Sequence, residues 1–505
     1  MTPITTSLSL LLALTKPTVQ PAANAPHVQP GATQAPILLG APGKPKLEKS
    51  ELKDGGFDNI DEGVFVGFTP QGRRYELWEV QKDVHMDHVE VLAFGPDGSE
   101  LWREDLTWPS GESWSRLLTA GFDGEQNLYV FYYTNGDHHW RLVKVSSAGA
   151  VEWAKTLYTT SWDPEPAFIQ PHPAGGIVLH SASNGAVRDL YTARIAADGT
   201  VLWEHEFDVA GANQYPGGLA VAADGSVYAV GHDTLSPQDG KSAVRIRKYA
   251  ADGSVLWTRA MEAATQYEHP IARHVFLDSK GDLVVAGSTY AGGNDQDWIF
   301  AVKYKPSGTR ARRLAHRIGN TPKLVDYGLQ GVTATHAPDD SIFIAWDFDQ
   351  HLDTKWSVAM LRIPGEDPPR RQAGRAEQGA VQPAQPVVTE VPRVLWTKTF
   401  EAEAAMSVQM LRWFPQGALG VFGEGKRKLD ANGNDYRSST RMRALLPDGS
   451  DLGGAGFEST GEFHNELDAV AIDAGGTAFV LGWQWWNGDG WNDEDVMRLR
   501  FTARK

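Results

Sequence analysis

The densest group of aromatic and acidic side chains lies close to the C-terminal end of the chain. It consists of Trp483, Trp485, Trp486, Asp489, Trp491 and Asp493. On a β-strand, Trp483 and Trp485 would share one face and Trp486 would lie on the other. Exposed indole rings beside carboxylates suit stacking on sugar rings, so this group predicts a ligand-binding site. Packing of the same tryptophans inside the fold is the alternative interpretation.

A second candidate site is a short run of alternating carboxylate and amide side chains, namely Asp430, Asn432, Asn434 and Asp435. Oxygen ligands in this pattern suit Ca²⁺, but the run lacks the distal Glu of an EF-hand loop. Asp and Asn also favour turns for purely conformational reasons. Calcium is therefore the single cofactor that the sequence suggests, and otherwise no cofactor is expected.

Composition excludes several other kinds of chemistry. The chain has 505 residues, no cysteine, and 47 Lys and Arg against 63 Asp and Glu, which gives a formal net charge of −16. The absence of cysteine excludes disulfides, thiolate nucleophiles and cysteine-ligated metals. The negative charge argues against nucleic-acid binding, and no apolar run is long enough to predict a transmembrane segment. The sequence also contains no nucleophile elbow, phosphate-binding loop or metalloprotease motif.

The elements that must position the candidate sites are indicated by an internal repeat. A Gly-x-x-x-Trp frame recurs at intervals of about 50 residues, and its tryptophans are Trp102, Trp153, Trp203, Trp257 and Trp396. A tight turn recurs in parallel, and four short strand patterns fall in each interval. No helical pattern lies between them. These features predict an all-β fold consisting of a single β-propeller, with eight four-stranded blades or, alternatively, seven.

The last repeat lacks a fourth strand, because the chain ends soon after the third. A strand within Leu47–Leu52 is predicted to supply the missing one and to close the ring. We therefore assign the propeller to residues 47–505, with a disordered Pro-rich insertion at 364–392. Residues 1–25 are read as a signal peptide and residues 26–46 as a disordered linker. Secreted or periplasmic localisation is expected, with a cytoplasmic protein as the alternative.

Two sets of repeated residues are expected to be structural. One Trp per repeat is what the docking of neighbouring blades requires. A basic residue also recurs on each third strand, and it is expected to stack on a Trp of the neighbouring blade or to pair with a carboxylate. The members of this second set are Lys144, Arg194, Lys248, Lys303, Arg362 and Arg500.

At these positions the chain resembles a bacterial β-propeller repeat found in secreted proteins. The best match runs from Phe276 through Gly281 and Gly287 to Gly308. The Gly-x-x-x-Trp spacing is also similar to the tryptophan-docking motif of quinoprotein propellers and of related outer-membrane assembly propellers. The quinoprotein resemblance would imply a dehydrogenase, but the adjacent cysteine pair of that group is absent. The resemblance therefore implies an architecture and not an activity.

Together these features predict a non-catalytic binding or scaffolding propeller. Its ligand is expected to be a protein or a cell-surface glycan, recognised through one face of loops. The alternative is a glycan-acting hydrolase or lyase with carboxylates at the mouth of the channel. The protein is expected to be a monomer.

Overall fold

The computed structural model describes the chain as a series of strands and tight turns. The described residues are 42–53, 60–81, 87–106, 115–134, 139–159, 167–183, 188–208, 212–233, 242–262, 268–291, 297–319, 332–347, 356–362, 393–400, 407–429, 435–458, 463–486 and 494–504.

The chain begins with a strand, β1 (Pro42–Lys53), and continues with the first four blades. These are β2 (Ile60–Phe68), β3 (Arg74–Gln81), β4 (Asp87–Phe94) and β5 (Glu100–Leu106); β6 (Ser115–Phe122), β7 (Leu128–Thr134), β8 (His139–Val145) and β9 (Val151–Thr159); β10 (Phe168–Pro171), β11 (Ile177–Ala182), β12 (Leu190–Ile195) and β13 (Val201–Phe207); and β14 (Gln214–Val221), β15 (Val227–Asp233), β16 (Ala243–Tyr249) and β17 (Val255–Glu262).

Blades 5 to 8 follow in the same order, from the inner strand to the outer one. They are β18 (Glu268–Leu277), β19 (Leu283–Ala291), β20 (Asp297–Tyr304) and β21 (Arg310–Gly319); β22 (Val332–His336), β23 (Ile342–Asp347), β24 (Trp356–Arg362) and β25 (Arg393–Phe400); β26 (Ser407–Phe414), β27 (Ala418–Leu429), β28 (Asp435–Leu445) and β29 (Asp451–Glu458); and β30 (Phe463–Ile472), β31 (Thr477–Trp486) and β32 (Glu494–Arg504).

The ring closes through its N-terminal strand. β1 pairs antiparallel with β32 and becomes the outer strand of blade 8, with Lys46 opposite Thr502 and Leu52 opposite Met497. The predicted strand Leu47–Leu52 lies inside β1. This arrangement confirms the eight-bladed, all-β propeller closed by an N-terminal strand, so the seven-bladed alternative is wrong.

Two other boundaries can be compared with the sequence. β1 already begins at Pro42, five positions before the residue at which the propeller was expected to start. β24 and β25 pair within blade 6, so the segment between them, which contains residues 364–392, connects two strands of one blade. That segment and residues 1–25 lie outside the described residues.

The core lies between blades, because each sheet is apolar on both faces. Every residue of β7 and β11 is buried, as expected for a strand with a neighbour on each side. One apolar cluster joins Tyr75 and Leu77 of blade 1 to Leu117 and Val130 of blade 2. Neighbouring blades therefore share their hydrophobic cores, and no single blade could bury its own faces.

The repeated tryptophans pack on the glycine turn of the following blade. Trp203 donates its indole N–H to the carbonyl of Ala251 at 3.1 Å. Gly253 has a φ of +88°, and a Cβ atom there would lie 2.5 Å from the Trp203 ring. The same hydrogen bond joins the other members of the frame to carbonyls one blade further on: Trp102 to Ser147, Trp153 to Ala197, Trp257 to Pro306 and Trp396 to Pro447.

We expect Gly253→Ala to destabilise the protein more than Gly98→Ala does. Both glycines have left-handed backbones, but a Cβ atom at Gly98 would have no neighbour within 4 Å. Placing an alanine in the left-handed conformation should therefore destabilise both variants by about 1–2 kcal/mol. Displacement of the Trp203 ring should add about 1–3 kcal/mol at Gly253. Urea denaturation of both variants measures the difference, and equal midpoints would contradict a docking role for the ring.

Candidate functional site

The predicted aromatic site lies at the end of the second strand of blade 8. Trp483 pairs with Glu466 on one side and Val496 on the other, and Trp485 pairs with His464 and Glu494. Trp486 is the last residue of β31. Asp489, Trp491 and Asp493 follow this strand and lie outside the described residues. The ligand-binding role of the six residues stays a prediction.

The predicted calcium loop occupies the corresponding position in blade 7. Asp435 is the first residue of β28 and pairs with Leu429 at the end of β27. Asp430, Asn432 and Asn434 lie outside the described residues. Among the residues that the model describes, no three His, Asp or Glu side chains form a group that could hold a metal ion. Calcium binding stays a prediction.

These two segments share one face of the ring, because both begin where a second strand ends. In blades 1 to 5 and in blade 7, the turns between the first and second strands and between the third and fourth strands lie on the opposite face. Those turns are held by their own hydrogen bonds, such as Gly253 N–H to Ala250 O at 3.0 Å. The ends of β27 and β31, which precede the candidate segments, therefore belong to a rigid scaffold, which suits recognition of a large ligand.

Three of the recurring basic residues, Lys144, Lys248 and Lys303, bond to groups of the scaffold. Lys144 forms an ion pair with Glu152 at 2.7 Å, and Lys303 pairs with Asp278. Lys248 donates to the carbonyl of Pro306 in the next blade at 3.2 Å.

The aromatic contacts of these cations differ from the expected stacking on tryptophan. Lys144 and Lys248 lie over Tyr129 and Tyr228, which are directly opposite them in their own blades. The lysines contact tyrosine and not tryptophan because the strand register places a tyrosine of the adjacent strand directly opposite each lysine.

A polar group that sequence reasoning missed lies on the inner strands. The Arg412 guanidinium, on β26, donates Nε–H to the carbonyl of Val470 in blade 8 and Nη1–H to the carbonyl of Leu411, both at 2.9 Å. Its Nη2 atom lies 3.7 Å from the sulfur of Met410, the one acceptor of this atom within the described part of the chain. Burial lowers the pKa of Arg412. Among the described residues, no carboxylate pairs with this cation.

Two histidines pair across the interface between blades 5 and 6. His274 Nε2 lies 2.9 Å from His336 Nδ1, and the His336 ring stacks on Phe276 with 3.9 Å between ring centroids. Burial, followed by the charges of His336 and Arg412, lowers the pKa of His274 to about 3. His274 is therefore neutral at physiological pH, and Arg412 is near enough to influence its titration.

A second cation lies on the inner strand of blade 5. Arg273 occupies the bulge of β18, and burial lowers its pKa to about 10. Burial and then the charge of Arg273 lower the pKa of His232 to about 3.

The fold defines an eight-bladed β-propeller whose innermost strands carry half-buried arginines, Arg273 and Arg412, in an acidic chain. The chain belongs to the family described as outer membrane protein assembly factor BamB, whose model matches residues 87–351, just over half of its length. A comparison with curated proteins finds no match. In the described residues, no helix is long and apolar enough to cross a membrane.

Solved structures with a similar fold share little sequence with this chain. The WD40 domain of SCAP from fission yeast is 7% identical, covers 91% of this chain and 98% of its own, and has a TM-score of 0.46. A protein of unknown function from Dyadobacter fermentans is 10% identical, with coverages of 91% and 99% and a TM-score of 0.40. Drosophila Plexin A in complex with Semaphorin 1b is 8% identical, with coverages of 90% and 87% and a TM-score of 0.40. These similarities carry no argument about function.

Proposed function

We propose that this protein is a non-catalytic binding propeller that acts as a scaffold for a protein partner in a bacterial cell envelope. The observation that carries the proposal is the match to the family described as outer membrane protein assembly factor BamB. An assembly factor acts by binding other proteins. The fold suits this role, since eight docked blades provide a rigid ring with a broad face on each side.

The proposed recognition face is the one on which the second strands end. It includes the tryptophans at the end of β31 and the segment that follows Leu429 on β27. Aromatic side chains beside polar ones are enriched at the centres of protein interfaces. Export, which the N-terminal 25 residues predict, would bring this face to the envelope compartment.

Capture by the full-length chain tests the proposal. The purified protein is cross-linked to envelope extract and applied in parallel to a glycan array, each with and without calcium. The Trp485→Ala and Trp491→Ala double variant should lose the partner, because it removes two rings from the recognition face.

A matched control changes the opposite face. Asp252→Ala removes an exposed turn carboxylate that caps the N–H of Ser254, and it should retain the partner. Equal capture by the two variants would place recognition elsewhere. A glycan hit without a protein partner, or no hit in either assay, would overturn the proposal.

A further inference from the structure

One stretch of blade 5 is strongly basic in an otherwise acidic chain. Residues 303–317 contain six Lys and Arg and no Asp or Glu, whereas the whole chain has a net charge of −16. The stretch covers the end of β20, the turn that follows it and most of β21, the outer strand of the blade. Lys303 and Lys305 pair with Asp278 and Asp282. The cations that remain to be explained lie on β21.

Two exposed arginines of β21, Arg310 and Arg313, lie on the same face of the sheet. Arg310 is opposite Tyr304 and Arg313 is opposite Val302 on β20, because a bulge adds one residue to β21 between the two arginines. Positions two apart on a strand share a face. Tyr304 and Val302 belong to the apolar cluster that blade 5 shares with blade 4. Both arginines are therefore on the side of blade 5 that faces blade 4.

A third exposed arginine, Arg259 on the outer strand of blade 4, meets this side of blade 5. It donates Nε–H at 2.7 Å to the carbonyl of Gly308, which lies two residues before Arg310 in the turn that leads into β21. Trp257, two residues before Arg259, stacks on Tyr304 with 6.3 Å between ring centroids. Burial raises the pKa of the Tyr304 hydroxyl, and the charges of all three arginines act in the opposite direction. We call the three residues, Arg259, Arg310 and Arg313, the arginine rim.

The equivalent junctions of other blades are not cationic in this way. Lys155, His205 and Lys398 make the same bond as Arg259, to the carbonyl of the turn glycine of the next blade. Counted from that glycine, the positions of Arg310 and Arg313 are occupied in blades 3, 4 and 7 by neutral or acidic residues, namely Val201 and Glu204, Val255 and Thr258, and Asp451 and Gly454. The bond of Arg259 is thus a recurring structural contact, whereas the two arginines beside it distinguish blade 5 from these three blades.

We propose that the arginine rim binds an extended acidic segment of a protein partner. In the part of the chain that the structure describes, no carboxylate forms an ion pair with any of the three arginines. Like charges at one junction repel each other, and an anionic ligand removes that repulsion. The planar fork of a guanidinium matches a carboxylate, which it can bind through two hydrogen bonds.

A peptide is favoured over other anions for two reasons. β21 is the last strand of its sheet, so within the described residues its outer edge is unpaired and can hydrogen-bond an extended backbone. The net charge of −16 disfavours a long polyanion or an anionic membrane, since either would repel the rest of the molecule. The rim lies on outer strands and not among the loops of the recognition face, so this inference goes beyond the proposed function.

Direct binding to the full chain tests the inference. The probe is a peptide in which Glu and Val alternate, blocked at both ends and titrated by isothermal calorimetry at low and at physiological ionic strength. Saturable binding that weakens as salt is added is expected, because exposed charges are screened. The counterpart with Gln in place of Glu should bind about tenfold more weakly or not at all.

The Arg310→Gln and Arg313→Gln double variant should bind the Glu peptide about tenfold more weakly or worse, because it removes two charge-assisted contacts. Its melting temperature should stay close to that of the wild type, since both side chains are exposed. The corresponding double Lys variant should lose less affinity, because it keeps the charge.

The matched control is Arg103→Gln in blade 1. Arg103 follows the repeated tryptophan of its blade directly, which is the position of Arg313 in blade 5. It pairs with Glu90 at 2.7 Å and with Glu100 at 3.3 Å, so its charge is already compensated. This control should change the affinity for the Glu peptide less than about twofold.

Several results would overturn the inference. They include no saturable binding, equal binding of the Glu and Gln peptides, and equal weakening by the double variant and by the control. Tighter binding of phosphatidylglycerol vesicles or inorganic phosphate than of the peptide would assign the rim to a phosphate group. Salt-sensitive dimerisation that the double variant loses would make a second copy of the chain the occupant. Because the peptide is applied to the isolated chain, the result does not depend on capture of a partner at the recognition face.

Discussion

A chain that lacks residues 1–53 is expected to lose cooperative folding and to aggregate. Such a truncation removes β1, so blade 8 has three strands and the paired edge of β32 becomes free. Eight residue pairs join the two strands, and each cross-strand pair contributes about 0.2–1 kcal/mol. The total, about 2–8 kcal/mol, is a large fraction of the stability of many domains, which is about 5–15 kcal/mol.

Two further contacts of β1 would be lost in the same truncation. Leu47 packs on the apolar cluster shared by blades 7 and 8, and Glu48 pairs with Arg500 at 3.1 Å. The first contact matters more, because Glu48 and Arg500 are both exposed and an exposed ion pair contributes little. Loss of the strand should therefore expose part of the blade 7–blade 8 core as well as a sheet edge.

The control is a chain that begins at Pro42 and so retains β1. It should keep the melting temperature of the full chain, while the shorter chain should show no cooperative transition or one that is lower by many degrees. A synthetic peptide of residues 42–53, added to the shorter chain during refolding, should restore the transition by re-forming the β1–β32 pairing. Equal melting temperatures of the two truncated chains would contradict closure through β1.

Much of this fold is predictable because the repeat specifies it locally. Gly253 and Trp203 belong to one repeated frame, and both the left-handed turn and the packed indole follow from residue types at fixed spacing. The need for a closing strand also follows from the count, since eight turn markers stand against seven fourth strands. These inferences require no knowledge of how distant side chains meet.

The Arg412 site could not be predicted in this way. Its partners are backbone carbonyls, and Val470 lies 58 positions along the chain from Arg412. Every residue has a carbonyl, so no pattern of residue types identifies the acceptors. Arg412 differs from the residues at the same position of other inner strands, which are Gly121 in β6 and Ala471 in β30. This difference becomes visible only when the inner strands have been aligned.

The buried pair of Lys303 and Asp278 in blade 5 is where a single substitution should have its largest effect. Lys303 is 3% exposed and Asp278 is 1% exposed, and the Lys303 ammonium donates to Asp278 Oδ2. Asp278 Oδ1 accepts the N–H groups of Lys280 and Asp282, both at 2.9 Å. The carboxylate therefore holds a first-to-second strand turn and is neutralised from the third strand of the same blade.

Lys303→Met is expected to destabilise the protein by about 3–5 kcal/mol, because it leaves the Asp278 carboxylate buried without its counter-charge. Adding Asp278→Asn should recover a large part of this loss, since a neutral amide oxygen still accepts the turn N–H groups. A double-mutant cycle by urea denaturation measures the coupling between the two residues.

Lys305→Met provides the matched control within the same blade. Lys305 pairs with Asp282 at 3.1 Å, and although the Asp282 side chain is 3% exposed, that of Lys305 is 36% exposed, so water solvates the ammonium and weakens the pair. Its substitution should cost less than about 1 kcal/mol. If the two Met variants were equally destabilised, the burial of the cation would not decide the effect. If both were near wild type, the structural role expected for the recurring third-strand cation would be wrong in blade 5.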